Sequence, residues 1–252
     1  MSFKLLHIDI ETAPNTAHVW GLFKQNVGLS QLQESSYTLC FAAKWHKKKG
    51  VTFRSVQRGG EEAMVMKAWE LLDEADALCH YNGKRFDIPT LNKEFLKYGL
   101  SPPSPYKQID LLQVARRQFR FPSNKLDYVA QALGVGKKTQ HEGHELWVKC
   151  MAGQRKAWAD MKAYNIQDAI LLEDVYEKLL PWIPTHPNMA LYDRSNDEEK
   201  CPNCGSTSLI KKGKAYTQVA IYQRYRCTSC GTPIRGRYLT NRKDDTVLKQ
   251  EA

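Results

Sequence analysis

The sequence predicts a mixed α/β sheet with flanking helices, followed by a small cysteine-rich module. An apolar segment near the N-terminus predicts a buried strand, two strands joined by a basic turn follow it, and strands then alternate with helices. Hairpin strands followed by alternating strands and helices are typical of a mixed sheet. The 252 residues fit one such domain and an extra module, and a hydrophobic fraction of 42% is sufficient for a buried core.

Each predicted element follows from its own residue pattern. Apolar or alternating runs predict strands at residues 5–10, 37–45, 51–56 and 77–80. Apolar residues at helical spacing predict helices at residues 61–74, 111–119, 125–133 and 154–180. A further helix is predicted to begin near Pro89, because proline suits the first helical turn, and to end at Gly99.

The chain is expected to divide near residue 193. Pro181, Pro184 and Pro187 follow the long predicted helix and form a stiff exit, and the next residues are polar. We therefore predict four segments, which are a domain at 1–192, a linker at 193–199, a cysteine-rich module at 200–240 and a basic, polar tail at 241–252.

Acidic residues are spaced so that they can share one divalent-cation site. Asp9 and Glu11 lie two apart in an apolar strand and therefore project from the same face. Tyr164 and Asp168 lie four apart in a predicted helix and also share a face. Hard cations such as Mg²⁺ prefer oxygen ligands. With Asp87 as the fourth acid, the pattern predicts a metal site and indicates hydrolysis of phosphodiester bonds.

Some of these acids also have ordinary structural interpretations. Asp87 precedes Ile88 and Pro89 and would suit a helix N-cap, while Asp168 and Glu173 would suit a solvated helix face. Asp9 has no such alternative, because a buried carboxylate without a partner is costly. The joint pattern favours the catalytic interpretation.

Three motifs in order resemble the DEDD superfamily of 3′→5′ exonucleases in its DEDDy branch. They are Asp9-Ile10-Glu11-Thr12, Asn82-x3-Phe86-Asp87 and Tyr164-x3-Asp168. The DEDDh branch would carry a histidine at position 163, which is alanine here. The resemblance extends from the N-terminus through the long predicted helix, includes polymerase proofreading domains, and implies a ribonuclease H-like fold.

The resemblance also implies a role for each residue of the motifs. Two Mg²⁺ or Mn²⁺ ions, about 4 Å apart, would act on the attacking and departing oxygens. Asp9 would bridge both ions, and Asp87 would support the second one. Glu11 and Asp168 would hold the ion that carries the attacking water, which Tyr164 would orient through its hydroxyl. Tyr164 need not act as a base, because its unperturbed pKa is about 10.

Further residues are candidates for contacts with nucleic acid. Thr12, Asn82 and Phe86 resemble positions that contact the terminal nucleotide in related enzymes. Their alternative interpretations are a cap, a turn residue and a core aromatic, and for Phe86 the core interpretation is favoured. Cationic side chains that would follow a phosphate backbone, or would only be solvated, are Arg116, Arg117, Arg120, Lys44 and residues 47–49.

The segment His-Glu-Gly-His-Glu invites a zinc interpretation. Its histidines, His141 and His144, do not have the His-Glu-x-x-His spacing, and Gly143 interrupts a helix. We therefore predict a loop without a metal.

The seven cysteines fall into two groups. Cys40, Cys79 and Cys150 are isolated among apolar residues and are predicted to be buried. The other four form two Cys-x2-Cys pairs, each followed by glycine, and they are Cys201, Cys204, Cys227 and Cys230. Such pairs direct thiolates at one tetrahedral cation, so we predict one structural Zn²⁺. The segment resembles a zinc ribbon.

The positive charge of the chain is concentrated in this module. The formal net charge is +10, and residues 200–252 hold 11 Lys and Arg against 3 Asp and Glu, a net of +8. A polyanion such as nucleic acid is the expected partner. Lys212, Arg224 and Arg226 are predicted phosphate contacts, with nearby tyrosines as stacking surfaces. Docking to a polymerase or replisome protein is the alternative role of the module.

Together these patterns predict a metal-dependent 3′→5′ exonuclease that acts on single-stranded DNA in replication or repair. The alternatives are a 3′→5′ exoribonuclease and a non-catalytic nucleic-acid-binding or scaffold protein that acts through the zinc ribbon. The sequence has neither a secretory signal pattern nor an apolar run of transmembrane length. An intracellular, cytoplasmic protein is expected, in the host cytoplasm if a phage encodes the chain, with no membrane partner.

Overall fold

The computed structural model describes residues 3–193, 198–241 and 248–249. It separates into two compact units, residues 4–177 and residues 178–252 together with residues 1–3. We call them the first unit and the second unit and describe each by itself.

The first unit contains seven strands and the helices that cover them. Its strands are β1 (Leu5–Thr12), β2 (Thr16–Ala17), β3 (Leu32–Glu34), β4 (Thr38–Trp45), β5 (Thr52–Ser55), β6 (Ala77–His80) and β7 (Lys107–Asp110). Its helices are α1 (Gly60–Glu74), α2 (Asp87–Lys97), α3 (Leu111–Gln118), α4 (Leu126–Ala132), α5 (His144–Met151) and α6 (Arg155–Leu179), the last of which continues into the second unit.

The central sheet of the first unit is mixed. Its strand order is β5-β4-β1-β6-β7. Strands β5, β4 and β1 pair antiparallel, whereas β1, β6 and β7 pair parallel. This arrangement confirms the predicted mixed α/β sheet with flanking helices.

Strand β1 alternates between two differently covered faces of the sheet. Leu6, Ile8 and Ile10 belong to a buried apolar cluster that includes residues of α1 and α2. Because successive side chains in a strand point to opposite faces, His7, Asp9 and Glu11 project from the other face. There a second apolar cluster includes residues of β4, α5 and α6, among them Cys40, Leu146 and Trp158. The acids of β1 therefore lie between the sheet and the C-terminal helices of the unit.

Most predicted elements of the first unit are confirmed within a few residues. Strand β6 has the predicted bounds, helices α1 and α3 differ from the predicted ones by one residue at one end, and helices α4 and α6 differ by one residue at both ends. The short hairpin of β2 and β3, strand β7 and helix α5 were not predicted. The loop prediction for residues 141–145 is wrong at its C-terminal end, because α5 begins at His144 with Gly143 as its N-cap residue. Glycine before the first turn starts this helix; it does not interrupt one.

The second unit contains a three-stranded antiparallel sheet. Its strands are β8 (Leu209–Tyr216), β9 (Ile221–Cys227) and β10 (Pro233–Leu239), in the order β10-β9-β8. The central strand β9 overlaps an alternating run at residues 217–226, a pattern that is typical of a short antiparallel strand. Residues 194–197 of the predicted linker, and residues 242–247 and 250–252 of the predicted tail, lie outside the described residues.

Two further predictions concern burial and membranes. Cys40, Cys79 and Cys150 are buried, as predicted. Among the described helices, none combines the length and the apolar character needed to cross a membrane.

Candidate active site

Strand β1 presents Asp9 and Glu11 toward helix α6. Asp9 pairs with Ala42 of β4 and Glu11 pairs with Cys40, so small side chains flank both acids in the sheet. The backbone register shifts between Glu11 and Thr12, where the strand ends. The alternation that was read from the sequence therefore sets the direction of both carboxylates.

Helix α6 brings Asp168 to the acids of β1. Carboxylate oxygens of Asp9, Glu11 and Asp168 all lie within 4.8 Å of one another. Asn165, which is fully buried, donates from Nδ2 to Oδ2 of Asp9 over 2.7 Å and holds that carboxylate in place. Asn165 was not predicted, since one asparagine in a helix carries no signal of its own. The structure thus joins three of the four predicted acids and adds a buried amide.

Asp87 lies beside this group and bonds to the backbone of β1. Its Oδ1 accepts a hydrogen bond from the backbone N–H of Ile10, between the two acids of that strand, over 3.2 Å. The N-cap interpretation of Asp87 is wrong, because Phe86 occupies the cap position and Asp87 lies in the first turn of α2. Asp87 is buried, with 4% of its surface exposed.

Crowding of acids in a buried place shifts their protonation. Burial, reinforced by the charges of Glu11, Asp87 and Asp168, raises the pKa of Asp9 well above its usual value. Burial and the charges of Asp168 and Asp87 likewise raise the pKa of Glu11 to about 7. Burial is also the main cause that raises the pKa of Asp87 to about 7. The group therefore needs positive charge to be fully ionised at neutral pH.

Lys138 supplies one positive charge to the acids. It lies in the segment between α4 and α5, forms an ion pair with Asp168, and its Nζ lies 3.1 Å from the hydroxyl of Tyr164. Burial disfavours the charged form of Lys138, but the negative charges of Asp168 and Asp9 outweigh it and raise its pKa above the usual value. Nothing in the sequence distinguishes Lys138 from Lys137, so this residue was missed.

Tyr164 is held by aromatic neighbours from α5 and the preceding segment. Its ring lies edge-on to His141, with centroids 4.7 Å apart, and to Trp147, with centroids 6.1 Å apart. Burial, with the charges of Asp168 and Glu11, raises the pKa of Tyr164 further above its already high value. The hydroxyl is therefore protonated at any physiological pH. Within the described residues, neither His141 nor His144 belongs to a group of metal ligands.

The candidate nucleotide contacts are placed around the acids by chain continuity. Thr12 ends β1, directly after Glu11, and Asn82 and Phe86 lie in the segment that leads into Asp87. Asn82 has a left-handed backbone with φ of 70°, and its N–H donates to Oδ1 of Asp110 over 3.0 Å. Phe86 is 45% exposed, so the favoured core interpretation is wrong.

An open groove borders Asp9 and carries further cations. Its lining includes Arg116, Lys125 and Lys138 together with Tyr81 and Asp9. Arg116 was among the predicted phosphate-tracking cations, and the groove gives it a place beside the acids. Arg117, Arg120 and residues 47–49 are exposed at the surface.

Lys44, another predicted phosphate contact, instead lies in a second polar cluster. It forms an ion pair with Glu173, whose Oε1 also lies 3.1 Å from Nδ1 of His46 and accepts from the backbone N–H of Lys47 over 2.7 Å. Lys44 is therefore engaged within the unit. The interpretation of Asp168 and Glu173 as a solvated helix face is also wrong, because both are buried.

The donor set of the acidic group fits divalent cations. Its ligands are hard oxygens, and Asp168 Oδ1 is buried with no hydrogen-bond donor among the described residues. A buried carboxylate oxygen that lacks a donor is available to a metal ion, and because burial raises the pKa values of the neighbouring Asp9 and Glu11, a bound cation would favour their ionised forms.

The four C-terminal cysteines form the second candidate metal site. Their sulfurs all lie within 4.8 Å of one another, and the Cys201–Cys230 and Cys204–Cys227 sulfur distances are 3.6 Å. These distances exceed the bond of a disulfide, which is about 2.05 Å. They match the edge of a tetrahedron around Zn²⁺, about 3.8 Å for Zn–S bonds of about 2.3 Å.

The two cysteine turns have the same backbone hydrogen bonds. In the first, the N–H of Cys201 donates to Ser206 O and the N–H of Gly205 donates to Cys201 O. In the second, the N–H of Cys227 donates to Thr232 O and the N–H of Gly231 donates to Cys227 O. Both glycines have positive φ, near 73° and 80°, which a side chain would disfavour. The repeated turn and the sulfur cluster fit a zinc ribbon.

The ribbon sheet carries a cationic face. Arg224 and Arg226 lie two apart on β9 and share a face, and Arg235 pairs directly across from Arg224. The guanidinium of Arg235 lies 4.4 Å from the ring centroid of Tyr222. Lys212 is exposed on the neighbouring strand β8. Arg242 and Lys243, two further cations that the sequence places in this module as candidates for contact with nucleic acid, lie outside the described residues.

A family model of the RNase H superfamily matches residues 26–180, more than half of the chain. The chain belongs to the RNase H superfamily. This membership confirms the predicted ribonuclease H-like fold and supports a nuclease activity. The matched range contains Asp87, Tyr164 and Asp168, whereas Asp9 and Glu11 precede it.

A solved structure shares the fold of this RNase H superfamily protein. The family B DNA polymerase from the hyperthermophilic archaeon Pyrobaculum calidifontis matches with a TM-score of 0.54 at 17% sequence identity. The match covers 72% of this chain and 25% of the polymerase chain, so this chain corresponds to about a quarter of that protein. Among curated proteins, no sequence matches the chain.

Proposed function

We propose that the protein is a metal-dependent 3′→5′ exonuclease that acts on single-stranded DNA. The observation that carries this proposal is the convergence of Asp9, Glu11 and Asp168 within 4.8 Å, with Asp87 bonded to the strand between the first two. Membership of the RNase H superfamily supports a nuclease, and the order of the three sequence motifs supports the 3′→5′ direction.

The four acids would hold two divalent cations, Mg²⁺ or Mn²⁺. When bound, such ions lower the pKa of a water molecule and stabilise the departing oxygen of a phosphodiester. Asp9 is kept oriented by Asn165, and Asp87 is kept oriented by the N–H of Ile10. Both supports leave carboxylate oxygens free for a metal ion, which is what a preorganised site requires.

Tyr164 and Lys138 would act on the reacting groups through hydrogen bonds and charge. The raised pKa of Tyr164 keeps its hydroxyl protonated, so it can orient a water molecule but does not remove a proton. Lys138 remains charged and lies beside Asp168 in the groove that borders Asp9. It can therefore bind the negatively charged phosphate of the terminal nucleotide.

The ribbon would act as a second contact with nucleic acid. One structural Zn²⁺ held by Cys201, Cys204, Cys227 and Cys230 would supply folding free energy to this small sheet. The cationic face of Arg224, Arg226 and Arg235 suits a phosphate backbone, and the tyrosines beside it suit stacking of bases. Docking of a polymerase or replisome protein to this face is the competing outcome.

The proposal is tested by digestion of 5′-labelled strands with Mg²⁺ or Mn²⁺. Single-stranded DNA, duplex DNA and RNA of one sequence are compared for the wild type, Asp9→Ala and the control Asp160→Ala. Asp160 is an exposed acid on the same helix as Asp168, paired with Lys156. We expect a ladder that shortens from the 3′ end of single-stranded DNA, absent for Asp9→Ala and unchanged for Asp160→Ala.

Each contrary result identifies a different alternative. Faster shortening of RNA than of DNA would identify an exoribonuclease. Internal cuts without a ladder would refute the exonuclease assignment. Binding without cleavage by the wild type would favour a nucleic-acid-binding protein led by the ribbon, and cleavage by Asp9→Ala at the wild-type rate would remove the acidic group from the mechanism.

A further inference from the structure

The hairpin that follows β1 exposes large apolar side chains to solvent. Every residue from 18 to 30, here called loop 18–30, is exposed. Trp20 is 98% exposed, Leu22 87% and Phe23 86%. Soluble proteins seldom expose such side chains in one short segment unless the segment binds something.

Hydrogen bonds close the base of this loop and so define where its exposed tip begins. His18 and Gln31 bond to each other twice, through His18 N–H to Gln31 O and through Gln31 Nε2 to His18 O, both over 2.9 Å. The side chain of Gln31 also accepts from the N–H of Gly28 over 2.8 Å. Below these bonds, β2 pairs with β3, and Asn15 Oδ1 accepts from the N–H of Ser36 over 2.6 Å.

The loop is tied to the candidate active site by chain continuity. Its hairpin begins four residues after Thr12, the end of the strand that carries Asp9 and Glu11. Trp20 is nine residues beyond Glu11, so even a fully extended chain would place it within about 30 Å of that carboxylate. The tip is therefore within reach of nucleotides that lie next to one held at the acids.

The chemistry of the tip favours single-stranded nucleic acid. No Asp or Glu occurs between Thr12 and Glu34, and the tip carries Lys24. The sequence around that cation is Trp20-Gly21-Leu22-Phe23-Lys24-Gln25-Asn26. Aromatic rings stack on bases, a lysine meets a phosphate, and side-chain amides bond to base edges. The absence of acids avoids repulsion from a polyanion.

We propose that loop 18–30 binds the bases of the single-stranded substrate next to its 3′-terminal nucleotide, with Trp20 and Phe23 stacking on them. This inference rests on the proposed function for the location of the 3′ end. It assigns affinity for the strand to a segment that lies outside the three sequence motifs. Burial of both rings against bases also explains why the tip has no apolar partner within the described chain.

The test compares Trp20→Ala, Phe23→Ala and their double variant with Leu96→Ala in the full-length protein. Leu96 is an apolar side chain of α2 that is 79% exposed and serves as the matched control. Hydrolysis is measured on a 12-nucleotide single strand and on the p-nitrophenyl ester of thymidine 5′-monophosphate, a substrate with one nucleotide. Binding of the 12-nucleotide strand is measured by fluorescence anisotropy with each substitution placed in an Asp9→Ala background.

We expect the double variant to raise KM and Kd for the 12-nucleotide strand by about tenfold or more, as loss of base stacking does. The kcat value should stay within about twofold, and hydrolysis of the one-nucleotide ester and the behaviour of Leu96→Ala should match the wild type. Unchanged KM and Kd in the double variant would overturn the proposal. So would a wild-type dimer in sedimentation that Trp20→Ala dissociates without changing Kd, because the tip would then bind a second copy.

The two proposals fail separately in this design. If the wild type hydrolyses neither substrate but the double variant still weakens binding of the strand, the exonuclease assignment fails and the role of the loop stands. If the ester and the strand are hydrolysed and the double variant changes neither KM nor Kd, the loop proposal fails alone.

Discussion

At the scale of single residues, the acids of the candidate site lower the stability of the metal-free protein. The pKa of Glu11 is raised to about 7 by burial and by Asp168 and Asp87, whereas an unfolded glutamate has a pKa of about 4.3. The folded protein therefore binds more protons than the unfolded chain between these pH values. The contribution of Glu11 to stability therefore falls as pH rises from about 4 to about 7, because its carboxylate is buried in the folded protein and lies near other negative charges, whereas in the unfolded chain it is hydrated.

Because the ionised carboxylate of Glu11 lowers stability, we predict that Glu11→Gln stabilises the protein while it abolishes hydrolysis. In buffer without added Mg²⁺ or Mn²⁺ at pH 8, the free energy of unfolding should rise by about 1–3 kcal/mol, whereas at pH 4 it should match the wild type. Urea unfolding at both pH values measures the difference. The control is Glu62→Gln, an exposed acid of α1, which should change stability at neither pH. A lower stability of Glu11→Gln at pH 8 would show that the ionised carboxylate of Glu11 does not destabilise the metal-free protein.

Residue patterns predicted the acids of the candidate site but not Asn165 and Lys138, the residues that contact them. Asp9 and Glu11 follow from strand alternation, because two residues on one face share a direction wherever the strand lies. Asn165 and Lys138 become meaningful only when α6 and the segment after α4 meet β1, 156 residues apart in the case of the Asn165–Asp9 bond. Such convergence leaves no local signal. The exposure of Phe86 was missed for the same reason, since an aromatic before a helix is compatible with either environment.

At the scale of elements, two strand ends hold the segment that leads into Asp87. His80 ends β6, and its Nδ1 accepts from the N–H of Gly83 over 3.1 Å. Asp110 ends β7, and its Oδ1 accepts from the N–H groups of Asn82 and Leu112. The two parallel strands thus fix the left-handed turn at Asn82, and that turn sets where α2 begins and where Asp87 lies.

Gly83→Ala is predicted to displace this segment. An added Cβ would lie 2.5 Å from Cγ of His80, closer than atoms can pack, so His80 or the turn must move. We expect a loss of about 1–3 kcal/mol of stability, as overpacking usually causes, and at least a tenfold lower kcat/KM because Asp87 moves with the turn. The loss of stability is measured by urea unfolding. The loss of activity is measured from initial rates under conditions in which both the wild type and Gly83→Ala are folded.

Gly99→Ala is the matched control for that substitution. Gly99 follows α2 with a φ of 69° and has no atom near an added Cβ, so alanine there strains only the backbone. Stability should fall by about 1 kcal/mol with kcat/KM unchanged. If both variants lose activity equally, the loss would follow stability, and the turn would have no specific role.

The elements that were predicted and those that were missed differ in pattern strength. Strand β6 and helix α6 have continuous apolar or periodic runs. Strand β7 reads Lys-Gln-Ile-Asp and buries only its last two residues, so it has no apolar run to detect. This segment is a strand because it pairs in parallel with β6, and its own composition does not predict one. Helix α5 was missed because Gly143 was read as an interruption, although it precedes the first turn.

At the scale of the whole molecule, most of the net positive charge and the acids of the candidate active site lie in different parts of the chain. Residues 200–252 carry a net charge of +8 out of +10, whereas the candidate active site gathers four acids in the first unit. Nucleic acid is repelled by a cluster of carboxylates without metal ions and attracted by a cationic ribbon. Affinity for the strand and hydrolysis of its end are therefore expected to separate by mutation.

The double variant Arg224→Gln/Arg226→Gln tests this division in the full-length chain. Each lost phosphate contact should reduce the slope of log affinity against log salt by about 0.7 for a single strand, hence about 1.4 for both. Shorter runs of digestion per binding event are expected on a long strand, with unchanged hydrolysis of the one-nucleotide ester. The control Lys67→Gln/Lys156→Gln removes the same charge from exposed, acid-paired lysines of the first unit and should leave the slope unchanged. An unchanged slope in the arginine variant would redirect the ribbon to a protein partner, because its cationic face would then not meet the strand.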